Sequence, residues 1–303
     1  MNTTLLSYPN RGPWGRSDWR GNWSGHLVKD LVQRFKPSLV VDPMCGSNTT
    51  GDVCREMGVE AVCLDLKDGF NILREPIRNR LSRPANLVLA HSPYGAMISY
   101  SGPGGMWGQD RPAHPDDLSN VRSPEEFMEK LELALYNCYD ALAVGGHLAV
   151  CISDHRFKGE LYCYFADIVG LRIGRLRHVL IKEQCNATSL AKKYSSDIVY
   201  IAHEYVGVFE RVHALFSIGQ CALERSRRLS RSFYGTWKNV VRHILQSAGK
   251  PLSRVEIYRQ VNAAIDAPEN RNVEAKLRQI LNESFRRVDN DVFGLPDEHP
   301  AAA

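Results

Sequence analysis

The sequence has no Cys-x-x-Cys pair and no grouping of cysteine and histidine at zinc-ligand spacing, although it holds eight cysteines, at positions 45, 54, 63, 138, 151, 163, 185 and 221. Without ligand spacing these read as reduced, mostly buried thiols, and no metal is expected. No run approaches the roughly 18 uninterrupted apolar residues that a membrane-spanning helix needs. Met1 to Trp14 lacks the basic-then-apolar layout of a secretion signal, so the expected location is cytoplasmic, with no membrane partner. Internal repeats are missing as well, and only the tail Ala301 to Ala303 is biased in composition.

What is present is an ordinary globular composition: 303 residues, 44% hydrophobic and 24% charged, enough for one large domain and a small one. The formal charge of +4 is unevenly placed. From Arg211 to Gln260 there are ten Lys/Arg (211, 225, 227, 228, 231, 238, 242, 250, 254, 259) against Glu224 and Glu256. The remainder of the chain is therefore slightly acidic. A basic run is often a solvated helix face, but one gathered beside a single module favours a polyanionic partner.

Between Leu39 and Phe209 short apolar runs alternate with helical patterns, the arrangement of a mostly parallel sheet covered by helices. Strands are expected at Leu39 to Val41, Ala61 to Leu64, Asn86 to Ala90 and Leu148 to Ile152, with an edge pair near Val179 to Lys182 and Ile198 to Glu210. Helices are expected at Gly25 to Phe35, Thr50 to Met57 and Pro124 to Leu142, the last opened by a Ser123/Glu126 capping box. The fold class is α/β and doubly wound. Tyr100 to Asn120, rich in Gly, Pro and Asp, reads as a long loop of the kind that is either functional or disordered.

Val40-Val41-Asp42-Pro43-Met44-Cys45-Gly46-Ser47-Asn48-Thr49-Thr50 is a strand entering a tight turn and then a helix. Ligands of open α/β sheets bind at that edge. Gly46 permits close backbone approach, Asn48 tolerates positive φ, and Thr49 and Thr50 can cap the helix or donate hydroxyls. Asp65, before Leu66 at the end of the next strand, can accept from both hydroxyls of a ribose. Asp42 could serve the other end of such a ligand, directly or through water. Either acid alone is as well explained by a helix cap or a surface charge; the pair at this spacing favours a nucleoside cofactor.

These residues resemble the amino-methyltransferases of DNA, which make N6-methyladenine or N4-methylcytosine. The first motif of that family, Asp-Pro-Phe-x-Gly-Ser-Gly-Thr-Thr, is matched at Asp42, Pro43, Gly46, Ser47, Thr49 and Thr50, with Met44 and Asn48 as departures. The catalytic motif (Asp, Asn or Ser, then Pro-Pro, then an aromatic) corresponds to His91-Ser92-Pro93-Tyr94, where Pro93 and Tyr94 match and His91 and Ser92 do not. The resemblance implies S-adenosylmethionine as cofactor, held by Asn22, Ser24, Asp42, Met44, Gly46, Asn48, Thr49, Thr50, Asp65 and Leu66. It also implies that Tyr94 stacks on a flipped base, while a neutral His91 nitrogen, Ser92 or a carbonyl accepts from the target amino group. Asn22-Trp23-Ser24-Gly25 lies where relatives close over the methionine end of the cofactor. The resemblance covers about two thirds of the chain, in the motif order of the gamma-type enzymes. No Pro-Cys pair stands at the catalytic strand end, which argues against 5-methylcytosine chemistry.

After a methyltransferase domain over residues 1–211 and a basic linker helix over 212–236, residues 237–296 read as three helices and a hairpin around Asp289-Asn290-Asp291; residues 297–303 read as a disordered tail. Three helices and a hairpin resemble a winged helix, whose third helix commonly enters the major groove. A protein-docking or structural cap is the alternative. Candidate contacts to double-stranded DNA are Arg225, Arg227, Arg228, Arg231, Lys238, Arg271, Lys276 and Arg278. The expected function is methylation of a base amino group in DNA, adenine N6 favoured over cytosine N4. An RNA amino-methyltransferase and an inactive DNA-binding regulator are the alternatives, and a homodimer or a restriction partner stays open.

Overall fold

The computed structural model describes residues 1–108, 111–171, 173–185, 198–212, 233–265 and 271–296. Its strands are β1 (Leu5–Leu6), β2 (Leu39–Asp42), β3 (Glu60–Cys63), β4 (Ala85–His91), β5 (Leu142–Ile152), β6 (His155–Phe157), β7 (Glu160–Tyr162), β8 (Arg175–Glu183) and β9 (His203–Glu210). All but the β6–β7 hairpin join one sheet in the order β1-β8-β9-β5-β4-β2-β3, in which β9 runs antiparallel to both neighbours. The fold is Rossmann-like α/β, as the sequence pattern predicts. Strand β1 and the hairpin had no sequence signal: β1 is two residues long, and the hairpin turns on Lys158 and Gly159, both at positive φ.

The buried strands are apolar on both faces because helices cover both. Leu87, Leu89, Ala149 and Cys151 join Val40 in one core with α1 (Gly25–Phe35) and α2 (Thr49–Glu56). Their neighbours Val88, Ala90, Leu148, Val150 and Ile152 join Val41 in a second core with α3 (Pro124–Asp140) and α4 (Tyr164–Gly170). The split is the period of two that a strand imposes.

Helix α3 opens as expected, with Ser123 Oγ accepting from the Glu126 N–H (3.3 Å) and Glu126 Oε2 accepting from the Arg122 N–H (3.0 Å). It is buried nearly all round, and the second covering comes from the C-terminal part. There α5 (Phe233–Ala248), β10 (Leu252–Ser253), α6 (Arg254–Ile265), α7 (Arg271–Ser284), β11 (Arg286–Asp289) and β12 (Val292–Gly294) follow in order. The three short strands pair as β10-β12-β11. Helix α5 begins at Phe233, inside the stretch read as linker, and β10 was not anticipated. Trp237, Val240, Val241 and Leu245 of α5 lie in the same apolar cluster as α3. Asn239 Nδ2 donates to Glu129 O (2.8 Å), Gln246 Nε2 to Ile72 O (2.9 Å) and Arg74 Nη1 to Pro296 O (3.1 Å). The C-terminal helices are thus packed onto the sheet unit.

Candidate functional site

Strand β2 leads through α2 to β3 on one side of the sheet, whereas β4 pairs with β2 on the other. This divergence opens a crevice beyond the carboxyl ends of the strands, the position where doubly wound folds bind ligands. The segments that follow β2, β3 and β4 all meet there. They line a cleft together with Trp19, Asn22 and Trp23 from the N-terminal segment, Phe70 and Ile72, and Tyr100, Trp107 and Asp116 to Leu118 from the long loop.

The turn after β2 is built from inside. Asp42 is fully buried; Oδ2 accepts from Thr50 Oγ1 (2.5 Å) and Oδ1 from the Met44 N–H (3.1 Å). Burial pushes its pKa up to about 7 against the pull of those two bonds. Gly46 adopts φ +51 and Asn48 φ +70, and a Cβ on Gly46 would lie 2.9 Å from Trp19 Nε1. Gly46 is therefore required twice, for its backbone conformation and for the closeness of the indole. Asp65 stands over the turn: Oδ2 accepts from the Gly46 N–H (2.7 Å) and Oδ1 from the Lys67 N–H (3.0 Å). Burial raises its pKa, and the two amides oppose that rise. A carboxylate has about four acceptor positions, so two remain for groups entering the cleft.

The N-terminal segment is tied across this turn. Ser47 Oγ donates to Asn22 Oδ1 (2.5 Å) and accepts from the Arg16 N–H (3.1 Å), while Asn22 Nδ2 donates to Arg16 O (2.7 Å) and Trp19 O (3.0 Å). Asn22 and Trp23 consequently form one wall of the cleft.

At the end of β4, His91 and Pro93 line the cleft; Ser92 and Tyr94 do not. Tyr94 is held by its hydroxyl, which donates to Glu204 Oε1 (2.7 Å) and lies 2.8 Å from His91 Nε2. Glu204 Oε2 in turn accepts from Lys182 Nζ (2.7 Å). Lys182 and Glu204 are directly opposite in the β8–β9 register. Burial alone would raise the Glu204 carboxyl, but the Lys182 ammonium and the hydrogen bonds from Lys182 and Tyr94 hold it below the usual value. The His91 pKa is pushed down to about 4, chiefly by burial, so the imidazole is neutral at physiological pH. His91, Cys151 and Glu204 offer donor atoms within 4.8 Å of one another, a metal-like grouping. The space among them holds the Tyr94 phenol oxygen, 3.8 Å from Cys151 Sγ as well, and Lys182 already neutralises the carboxylate, so the grouping does not fit a cation.

Of the residues expected at the cofactor, Asn22, Met44, Gly46, Asp65 and Leu66 line the cleft. Asp42 and Thr50 lie beneath it and brace the turn, while Asn48, Thr49 and Ser24 carry buried side-chain oxygens without a hydrogen-bond partner. Of the residues expected at DNA, Arg225, Arg227, Arg228 and Arg231 lie outside the described residues, as does the side chain of Arg271. Lys238 is turned inward onto Glu129 (2.6 Å), contrary to expectation, because α5 packs on α3. Lys276 and Arg278 stand on α7, with Arg278 exposed. Two further residues of the basic run are also inward: Arg211 Nη1 donates to Asp140 O (2.8 Å) and Leu142 O (2.6 Å), closing the end of α3, and burial lowers the Arg242 pKa.

Glu204 and Lys182 were not singled out from the sequence. Both strands carry several charged or polar residues, RLRHVLIKE in β8 and HEYVGVFE in β9, so nothing local marked these two. Trp19, Tyr100 and Trp107 were equally unmarked, although the loop carrying the last two had been read as functional or disordered.

No protein-family model matches the chain, and no curated protein is similar to it in sequence. Solved structures that it resembles include TrmN from Thermus thermophilus, at 13% identity and TM-score 0.33 over 64% of this chain and 50% of that one. A SAM dependent methyltransferase from Archaeoglobus fulgidus matches at 15% and 0.34 over 62% of this chain and 95% of that one. An rRNA methylase from Streptococcus thermophilus matches at 14% and 0.31 over 62% and 96%. The chain thus spans half of the TrmN chain and nearly all of the other two.

Proposed function

We propose that the chain is a methyltransferase that uses S-adenosylmethionine to methylate an exocyclic amino group of a nucleic-acid base, with adenine N6 in DNA as the favoured target. The observation that carries this reading is that one cleft joins Met44 to Gly46, Asp65 and the His91–Pro93 strand end. The residues fit the cofactor. Asp65 keeps two acceptor positions for ribose hydroxyls, and Gly46 shapes a turn in the cleft wall that a larger side chain would fill. S-adenosylmethionine bound there supplies an electrophilic methyl group. For its part the chain orients the amino lone pair toward that methyl, accepts the amino proton at the end of β4 and keeps water out with the indoles of Trp19, Trp23 and Trp107. Because the Tyr94 hydroxyl is anchored on Glu204, we assign stacking on the target base to the aromatic rings that line the cleft.

We read the C-terminal order of helix, strand, helix, helix and hairpin, with strands paired β10-β12-β11, as a winged helix, and this reading favours a nucleic-acid partner. The test is transfer of labelled methyl from S-adenosylmethionine to duplex DNA and to RNA, with the product nucleosides identified. N6-methyladenine in DNA is expected. Label confined to RNA would move the assignment to the RNA enzyme, and cofactor binding without transfer to either would indicate an inactive regulator.

A further inference from the structure

Where the motif that this strand end resembles has Asp, Asn or Ser, this chain carries His91. A carboxylate or amide oxygen accepts a hydrogen bond without preparation. An imidazole accepts only at the nitrogen that lacks the proton, so a histidine in this role needs its tautomer set by a partner.

The structure supplies such a partner in a chain of bonds. Glu204, paired with Lys182 at 2.7 Å, is ionised and can only accept. The single proton of the Tyr94 phenol is committed to Glu204 Oε1 at 2.7 Å. At 2.8 Å from His91 Nε2 the phenol oxygen must therefore accept, which places the imidazole proton on Nε2. Neutral imidazole carries one such proton, so Nδ1 is bare. His91 lines the cleft while its Nε2 is tied inward, and the Trp23 ring packs at 5.0 Å to fix the imidazole plane. Ser92, with a buried hydroxyl and no place in the cleft lining, does not compete for the role.

We propose that Glu204 and Lys182, acting through Tyr94, are positioning residues that hold His91 as its Nε2–H tautomer and leave Nδ1 as the acceptor for the substrate's amino proton. The tautomer stands independently; the acceptor role rests on the methyltransferase reading above. In the transfer step the amino nitrogen forms a bond to the methyl carbon as the sulfur–carbon bond breaks and its electron pair stays on sulfur. The surplus amino proton passes to Nδ1, the imidazolium so formed lies close to the Glu204 carboxylate, and the proton then leaves to solvent through the cleft.

The test is nitrogen NMR of the full chain labelled at histidine, with the His91 signals identified by comparison with His91→Asn. At neutral pH the proton is expected on Nε2 in the wild type. In Glu204→Gln, Lys182 claims the amide oxygen, so the amide NH2 faces Tyr94, the phenol turns its proton to His91, and the tautomer is expected to reverse. The rate constant for methyl transfer should fall about tenfold or more with cofactor affinity little changed. Placed on His91→Asn, whose oxygen needs no preparation, Glu204→Gln should cost little further rate. A wild-type proton on Nδ1, a tautomer unmoved by Glu204→Gln, or equal losses from Glu204→Gln in both backgrounds would overturn the proposal. The Nε2–H tautomer in a chain that methylates no nucleic acid would instead sustain the positioning and overturn the functional reading.

Discussion

In the proposed function, cofactor recognition turns on Asp65. Its carboxylate already accepts from the amides of Gly46 and Lys67, so Asp65→Ala removes both the ribose acceptor and the brace of the turn. The expected loss of S-adenosylmethionine affinity is on the order of 1.5–3 kcal/mol, read by calorimetry. An unchanged affinity would remove the assignment. Tyr94 behaves differently from what its motif position suggests. If stacking were its whole role, Phe would serve; because its hydroxyl bridges Glu204 and His91, Tyr94→Phe is expected to lose most of the transfer rate while binding cofactor normally. Retained activity in steady-state assays would return the residue to a stacking role.

The decisive contact between elements is α5 on α3. Helix α3 has apolar residues around nearly its whole circumference, which suits a helix covered on two sides. A chain ending near Arg211 looks self-sufficient in sequence, since the sheet closes at β9. The packing of Trp237, Val240, Val241 and Leu245 indicates the opposite. Such a truncation is expected to be aggregation-prone, and Trp237→Ala alone should cost about 3–5 kcal/mol in urea unfolding. A soluble, cooperatively folded truncation would show that α5 is dispensable. His243 in the same helix has its pKa pushed down to about 4 by burial. Because that lies below the ordinary 6.5, the unfolded chain takes up the proton first. The stability held by neutral His243 is complete above about pH 6.5 and is lost as pH falls toward 4, by up to about 3 kcal/mol. Asp42, raised to about 7, acts in the opposite sense, so the measurement is the difference between wild type and His243→Leu, in which Asp42 cancels. A difference independent of pH would mean that His243 is not buried neutral.

For the molecule as a whole, the question is where a polyanion would lie. The basic excess after Arg211 shrinks once Arg211, Lys238 and Arg242 are seen to face inward, and Arg254 and Arg259 are paired at the surface with Asp291 and Glu256. Lys238→Ala should therefore lower stability without changing the salt dependence of DNA affinity. Arg278→Ala, on the exposed side of α7, should reduce the slope of log affinity against log salt by about one. Equal slopes for wild type and Arg278→Ala would remove α7 from the interface.

Much of the sheet was legible because parallel strands covered on both faces are apolar and separated by amphipathic helices; β2 to β4 and α1 to α3 follow that pattern within a few residues, whereas β5 begins six residues before its expected start. The turn after β2 was legible for a similar reason, since only Gly and Asn sit easily at positive φ beside a close contact. By itself, then, the sequence determined the α/β class, the strand ends that would meet at the switch point, and the chemical types gathered there. The tertiary structure decided what no local pattern encodes. Strand register sets Lys182 opposite Glu204 and carries that pair to a tyrosine 110 residues away in sequence. Helix packing turns Lys238 and Arg242 inward and makes α5 part of the unit that carries the sheet. Those outcomes depend on contacts between distant segments, whose energies become favourable only once the sheet has assembled.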